Sequence, residues 1–470
     1  MHATNAYNFL PVVLQNAGIT LYGWWFRQKR YKKHYSQYFR KLLSSQWLKK
    51  NEFAQMQLQQ LNELLLEVKN AVPYYQDKLA GIRLPLKSMD EIREIPFLTK
   101  KDIRQSGDLL HNKTRMTKGH FWGHTGGTTG TSLAYPYDWI SMQENMAFRD
   151  RQYNWAGIRH LNKSVRFSGR ALCGRGQKQP FWRFNYAERQ MLASSYHMQE
   201  NNLPYYVEAV KRFAPRYIDG FPSSIYVLAR SVLSSKASRG LNLKAVITTS
   251  ETVLPYQQDM IEKVFRCKVF NFYSSSEGAP FITECSHGSK HFNPESGLVE
   301  ILRPDGSSCD CGELGEMVVT SFFQRAMPLI RYKIGDFAAF DDRICDCGRQ
   351  MPVIMELAGR KEDFLYTKER GLVSGTVNAD VFKYLGSSVV EAQIRQTDID
   401  VFIVNYVPGE LFSSNVFEDV ENEMRLRLGH KITIKWKSVP EIQRTAGGKF
   451  RAIIGLSQDK LSELAGEIVA

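Results

Sequence analysis

The run His124-Thr125-Gly126-Gly127-Thr128-Thr129-Gly130-Thr131-Ser132 sets three glycines among five hydroxyl side chains. Glycine lets the backbone turn tightly and approach a ligand closely. Such a loop presents N–H and O–H donors to phosphate oxygens. It is not of the GxxxxGK[ST] type, because no Lys follows its last glycine. A plain Gly/Thr turn is the bland alternative. A second chemical signal is the tetrapeptide Cys-Asp-Cys-Gly, found at Cys309 to Gly312 and again at Cys345 to Gly348, with Cys285, His287 and His291 upstream. Paired cysteines before a glycine form a tight turn that offers two thiolates to one metal, as in zinc sites. Free buried thiols are the alternative.

Elements must carry these groups. From about 120 to 340, Gly-rich turns and short apolar runs alternate with helical stretches. Strand-like runs fall at Tyr217 to Gly220, Ala245 to Thr249, Val269 to Tyr273 and Met317 to Thr320, with helices at Ser223 to Leu233 and Pro255 to Phe265. This alternation predicts an α/β architecture. Residues 1–80 read as a helical basic segment. Apolar residues recur at helical spacing from Phe53 to Val72, and Pro73 ends the run. Beyond Gly359-Arg360 the pattern becomes α+β, with strands at Val389 to Ile394, Val401 to Tyr406 and Ile432 to Trp436 and a helix at Phe417 to Leu428. The expected division is 1–80, a large domain 81–360 with β-sheets flanked by helices, and a small mobile domain 361–470, hinged near 360–363.

Composition bounds the partners. With 43% hydrophobic and 23% charged residues in 470, the chain has ordinary globular values, which excludes wholesale disorder or a small disulfide scaffold. The formal net charge of +14 fits an anionic ligand, a membrane surface or nucleic acid. No recognisable nucleic-acid motif accompanies it, so nucleic acid is not an expected partner. Much of the excess lies in residues 1–50, which contain nine Lys and Arg and no Asp or Glu. Phe9, Leu10, Val12, Val13, Leu14, Trp24 and Trp25 supply apolar and interfacial groups there. The segment fits peripheral contact with an anionic membrane surface, or a solvated basic helix packed on the large domain. No run reaches the ~18 apolar residues of a membrane span. No secretory signal is visible, because the basic cluster follows the apolar run Phe9 to Leu14. The expected location is cytoplasmic, where seven cysteines point to thiols or metal rather than disulfides.

Five segments in order over residues 124–451 resemble those of the adenylate-forming superfamily of acyl-CoA synthetases, luciferases and peptide-synthetase adenylation domains. The 124–132 loop is similar to its phosphate loop, and Thr125, Gly126, Gly127, Thr128, Thr129, Gly130 and Thr131 would grip ATP. Tyr273-Ser274-Ser275-Ser276-Glu277 resembles Tyr-Gly-x-Thr-Glu. The resemblance implies Tyr273 against adenine, Ser276 on the α-phosphate and Glu277 holding Mg²⁺, a cation that takes hard oxygen ligands. Beside these five, the upstream Thr249-Ser250-Glu251 matches the place where the family lines its adenine pocket, largely through backbone, with Ser250 and Glu251. Arg331 to Asp336 resembles Tyr-x-Thr-Gly-Asp, so Asp336 would accept hydrogen bonds from ribose hydroxyls. Gly359-Arg360-Lys361-Glu362-Asp363 resembles the Gly-Arg-x-Asp-Asp hinge, with Arg360 reaching the ribose and Glu362 at the pivot. Arg444 to Arg451 resembles Arg-Thr-x-x-Gly-Lys, making Lys449 the catalytic lysine near the α-phosphate.

Val72-Pro73-Tyr74-Tyr75-Gln76, Pro96-Phe97-Leu98-Thr99-Lys100 and Ala326 to Tyr332 look like the phenylacetate-CoA ligase family specifically, and the long basic N-terminus like its CapK-type polysaccharide members. The resemblance implies ATP- and Mg²⁺-dependent, AMP-forming activation of a small carboxylic acid, then acyl transfer to coenzyme A. Amide formation on a sugar or amino acid, and a non-catalytic nucleotide-binding scaffold, are the rivals. It would also place any peripheral contact at the inner membrane. Relatives carry Cys and His just after the magnesium-binding Glu and Cys-x-Cys before the hinge. That pattern selects Cys285, His291, Cys345 and Cys347 for structural zinc; Cys309 and Cys311 with Cys345 and Cys347 would make an all-cysteine alternative. Candidates to line the acid pocket are Phe167, Arg170, Tyr196 and His197.

Overall fold

In the computed structural model, residues 7–117, 119–124, 134–170, 172–174, 176–235, 241–275, 278, 280–360, 363–373, 379–386, 388–409, 412–445, 448–456 and 460 are described. Three helices open the chain, α1 (Val12–Arg30), α2 (Lys33–Ser45) and α3 (Lys50–Ala71). Strands β1 (His120–His124) and β2 (Ala134–Asp138) pair antiparallel, with His124 opposite Ala134. Helix α4 (Trp139–Trp155) follows. The Asp138 carboxylate caps it by accepting from the Ser141 N–H at 2.7 Å.

A twelve-stranded sheet dominates the molecule. At its centre run parallel strands in the order β5 (Gln190–Ser194), β3 (Ser164–Ser168), β6 (Tyr217–Gly220), β7 (Ala245–Thr249) and β8 (Val269–Ser274). Helices α5 (Leu203–Phe213), α6 (Pro222–Ser234) and α7 (Pro255–Phe265) fall between them in the chain. The sequence reads these strands as unbroken apolar runs because a parallel sheet is buried on both faces. Antiparallel strands extend both ends. β4 (Trp182–Asn185) forms one edge. Beyond β8 lie β9 (Phe281–Glu284), β10 (Lys290–Phe292), β14 (Val353–Arg360), β13 (Tyr332–Asp341), β12 (Gly315–Ser321) and β11 (Gly297–Leu302).

The N-terminal helices share a core with this sheet. Leu42, Leu61, Leu64, Leu65 and Val68 pack in one cluster with Ile247 and Phe270. A buried ion pair fastens them further: Arg151 on α4 meets Glu295 at 2.7 Å and donates to the Leu42 carbonyl at 3.1 Å. After Arg360 the chain builds a second body. β15 (Val389–Asp398), β16 (Val401–Pro408), β17 (Thr433–Ser438) and β18 (Ile453–Ile454) make a four-stranded sheet packed on α8 (Val416–Leu428) around Ile394, Phe402, Val420 and Met424.

Candidate active site

The central parallel strands end together at Ser168, Ser194, Gly220, Thr249 and Ser274, and crevices at such carboxyl ends are where open α/β sheets bind ligands. A cleft of about 390 Å³ opens beyond β7 and β8. Its walls include Ser250 and Glu251 after β7, Tyr273 on β8, Asp336 on β13, Arg360 on β14, and Thr445 with Lys449 from the second body.

Sheet register explains half of this convergence. Asp336 and Arg360 are direct partners across the β13–β14 ladder, and Arg360 Nε stands 3.4 Å from the Asp336 carboxylate. The Tyr273 hydroxyl donates to the other carboxylate oxygen. Burial pushes the Asp336 carboxyl above its ordinary value, while the Arg360 guanidinium and the Tyr273 hydroxyl pull it down and Lys449 adds a smaller downward pull. Arg331 anchors the start of β13. Its guanidinium meets Glu300 at 2.8 Å and donates to the carbonyl of Ile95 at 2.8 Å.

The second body reaches the cleft through the turn bearing Lys449. Thr445 Oγ1 accepts from the Lys449 N–H at 3.1 Å, and the Lys449 carbonyl accepts from the Thr445 N–H at 3.0 Å. The neighbouring Phe450 N–H donates to Glu251, whose other oxygen accepts from Ser223 N–H at the start of α6 at 3.2 Å. Burial raises the Glu251 carboxyl, against these hydrogen bonds. Sequence reasoning assigned Glu251 to adenine-pocket lining. The structure also makes it a tie between the bodies, across 199 residues that no local pattern spans. Just beyond β14, Asp363 accepts from the Arg360 N–H at 3.3 Å and pairs with Arg451 at 2.6 Å.

Thr125 to Thr131, Ser276, Glu277 and Glu362 lie outside the described residues. Of the acid-pocket candidates, Phe167 is fully buried in the core on Tyr206, and His197 is buried, stacked on Phe181 and bonded to Ser194 at 2.8 Å. Neither offers surface to a ligand. Tyr196 differs: its hydroxyl donates to the Gly169 carbonyl at 3.1 Å, beside the Lys449 turn.

At the other end of β14, about 23 Å along the strand, Cys285, His291, Cys345 and Cys347 bring their ligand atoms within 4.8 Å of one another. Cys285 Sγ stands 3.7 Å from Cys345 Sγ, and Cys347 Sγ 3.4 Å from His291 Nε2. A tetrahedral zinc with Zn–S near 2.3 Å implies S···S edges of about 3.8 Å, whereas a disulfide needs about 2.05 Å. His291 Nδ1 faces the Met351 carbonyl at 3.4 Å, which leaves Nε2 for a metal. Burial holds the imidazole neutral, at about 4. Cys309 packs on Ile301 and Met317, and Cys311 lies exposed beside Asp341 and Asp342. Cys345 and Cys347 therefore meet Cys285 and His291, not Cys309 and Cys311.

The CapK C-terminal domain matches residues 365–455. Over 455 residues, 95% of this chain and 98% of the other, the sequence is 30% identical to protein CapK of Staphylococcus aureus. The chain belongs to the CapK family. It is also 24% identical to phenylacetate-coenzyme A ligase of Thermus thermophilus, over 87% of this chain and 98% of that enzyme. Among solved structures, 2-hydroxyisobutyryl-CoA ligase in its postadenylation state superposes with a TM-score of 0.70 at 17% identity, covering 91% of this chain and 94% of that one. The TM-score is 0.54 for the same ligase in its thioesterification state, at the same coverage. The CapK-family chain thus has the adenylate-forming ligase fold expected from its motifs.

Proposed function

We propose that this chain is an AMP-forming ligase that activates a carboxylic acid as its acyl-adenylate and passes the acyl group to coenzyme A. One observation carries the reading: Lys449 from one body enters the same cleft as Asp336, Arg360 and Tyr273 from the other. The likeness to phenylacetate-coenzyme A ligase along nearly its whole length supports a carboxylic acid substrate and a thiol acceptor. The higher TM-score against the postadenylation state supports reading the present arrangement as the one that faces the nucleotide.

In the first half-reaction a carboxylate oxygen attacks the α-phosphorus of ATP. The bond to the oxygen bridging to the β-phosphate breaks, and pyrophosphate leaves with that electron pair. Lys449 neutralises charge that builds on the α-phosphate oxygens. Asp336 and Arg360 hold the ribose, and Tyr273 flanks the adenine. The 125–131 loop would bind phosphate, with Ser276 on the α-phosphate. Magnesium, when bound, supplies charge neutralisation at the phosphates, and Glu277 would hold it. In the second half-reaction the coenzyme A sulfur attacks the acyl carbon, the bond from that carbon to the AMP oxygen breaks, and the thiol proton passes to solvent. Cys285, His291, Cys345 and Cys347 would hold one zinc ion. Four protein donors leave no position for substrate, so its role is structural.

Acid-dependent exchange of labelled pyrophosphate into ATP, across a panel of carboxylic acids, tests the reading. Exchange with at least one acid, lost in Lys449→Ala, is expected, followed by AMP release and thiol consumption when coenzyme A is added. Nucleotide binding without exchange for any acid would favour a non-catalytic scaffold.

A further inference from the structure

Helix α1 is inverted relative to an ordinary surface helix. From Val12 to Thr20 its polar side chains, Gln15, Asn16 and Thr20, point inward. Asn16 Oδ1 accepts from the Phe184 N–H at 2.9 Å and Thr20 Oγ1 from the Tyr186 N–H at 3.2 Å, so side chains satisfy the backbone of the edge strand β4. Gln15 is buried, donates to the Leu10 carbonyl at 2.8 Å and accepts from Arg183. Gly23 allows the close approach, since an added Cβ would meet the Asn185 side chain at 2.5 Å. The apolar side is left facing solvent. Every exposed residue from Phe9 to Trp25 is apolar or aromatic. Leu14 is 53% exposed, Leu21 69% and Trp24 55%. A contiguous uncharged face of this kind calls for an apolar partner.

We propose that α1 lies flat in the surface of an anionic lipid bilayer, its outer face among the acyl chains and the following basic cluster at the headgroups. Three observations favour this occupant. Charge is the first: residues 1–50 carry nine Lys and Arg and no acid. Lys29 lies over the rings of Trp25 and Trp139, at the margin of the apolar face, and Lys32 and Lys33 are exposed just beyond it. Position is the second, since Trp24 and Trp25 sit at the basic end, where aromatic rings meet headgroups. Length is the third. The helix spans about 28 Å, yet no described helix is long and apolar enough to cross a membrane, so this one rests on the surface. A second copy fits less well. Residues 1–50 hold no acid with which a second copy could pair the basic cluster, whichever way two helices met.

Co-sedimentation of the full chain with phosphatidylcholine vesicles, alone or mixed with phosphatidylglycerol, tests the proposal. Binding to the mixed vesicles is expected, reduced roughly tenfold or more in the triple variant Leu14→Gln, Leu21→Gln, Trp24→Gln. Lys32→Gln with Lys33→Gln should weaken binding to mixed vesicles by about tenfold while leaving binding to neutral ones. If the triple variant loses its unfolding midpoint, the pair Val13→Gln and Leu21→Gln takes its place. Equal recovery of native chain and variant, or no recovery of the native chain, overturns the proposal. So does a native dimer that the variant dissociates and that ignores vesicles.

Discussion

Lys449 and Asp336 share one cleft, but they should fail differently. Lys449 is assigned to charge that exists only at the transition state, so Lys449→Ala should lower kcat for adenylation by about 10²–10³-fold. The Kd for ATP should shift by less than about threefold. Asp336 is assigned to ribose hydroxyls present in ground and transition states alike. Asp336→Ala should therefore raise KM for ATP by about tenfold or more, the worth of a hydrogen bond to a charged group, with a smaller effect on kcat. Steady-state exchange kinetics separate the two; a kcat loss for Asp336→Ala as large as that for Lys449→Ala would contradict the division of roles. Residue types around these positions are legible in the sequence because glycine, lysine and carboxylate fall in short motifs. The partners that tune them are not. Asp336 meets Tyr273 across 63 residues, and Glu251 meets Phe450 across 199. Such pairs are set by sheet register and by docking of the second body. Phe167 misled for a related reason: alternation along β3 turns it into the core with Val165, away from the face of Arg166.

Strand β14 links the two chemistries, since Val353 adjoins the cysteine cluster and Arg360 enters the cleft. Purified without chelator, the chain should carry about one zinc. Cys345→Ser with Cys347→Ser should lose it and lower both solubility and the thermal midpoint, because structural metal binding is folding free energy. Elemental analysis beside a thermal melt reads both; no metal in the native chain would remove the clamp. Glu251 ties β7 and α6 to the Lys449 turn, and its raised carboxyl gives a signed pH effect. The folded chain keeps this proton at pH values where the unfolded chain, near its ordinary value of 4.5, has lost it. That contribution is full below the unfolded value and is lost as pH rises through the raised folded one. Relative to Glu251→Gln, the native chain should lose stability across that window and hold constant above it, as urea midpoints against pH would read. A difference growing with pH would reverse the assignment. Elements themselves were largely legible: Tyr217 to Gly220, Ala245 to Thr249 and the helix Pro255 to Phe265 have the bounds their apolar patterns give. The short strands β9 and β10 lack such a run, and β10 meets β14 through just two pairs, Lys290 with Ile354 and His291 with Val353. The orientation of α1 was equally hidden, because the sequence does not announce that its polar side must cover β4.

At the scale of the whole molecule, several contacts among the described residues join the second body to the large one. Glu251 accepts from the Phe450 N–H, Arg230 donates to the carbonyls of Val389 and Val390 at 2.9 Å, and Leu254 enters the second body's core. An interface of this kind is compatible with the hinge expected near 360–363, about which the second body would swing to admit a thiol in the proposed second half-reaction. Gly448 is the position where closure is most exposed to a steric test. Its φ of +75° is poorly tolerated by other residues. An added Cβ would also meet the Tyr196 ring at 2.9 Å and Gly169 Cα at 3.1 Å, both on the large body. Gly448→Val should therefore oppose the closed arrangement without touching the nucleotide residues of the large body. Acyl-adenylate formation should fall by about 10²-fold, the scale of a misplaced catalytic group. Thioester formation from a supplied acyl-adenylate and coenzyme A should keep most of its rate, since the proposed second half-reaction gives Lys449 no role. Tyr196→Ala in the Gly448→Val background should return part of the first activity by relieving the ring contact, leaving the backbone strain. The two half-reactions, assayed separately, decide the matter: equal losses in both would show that the turn at Gly448 is needed for folding of the second body and not for its closure.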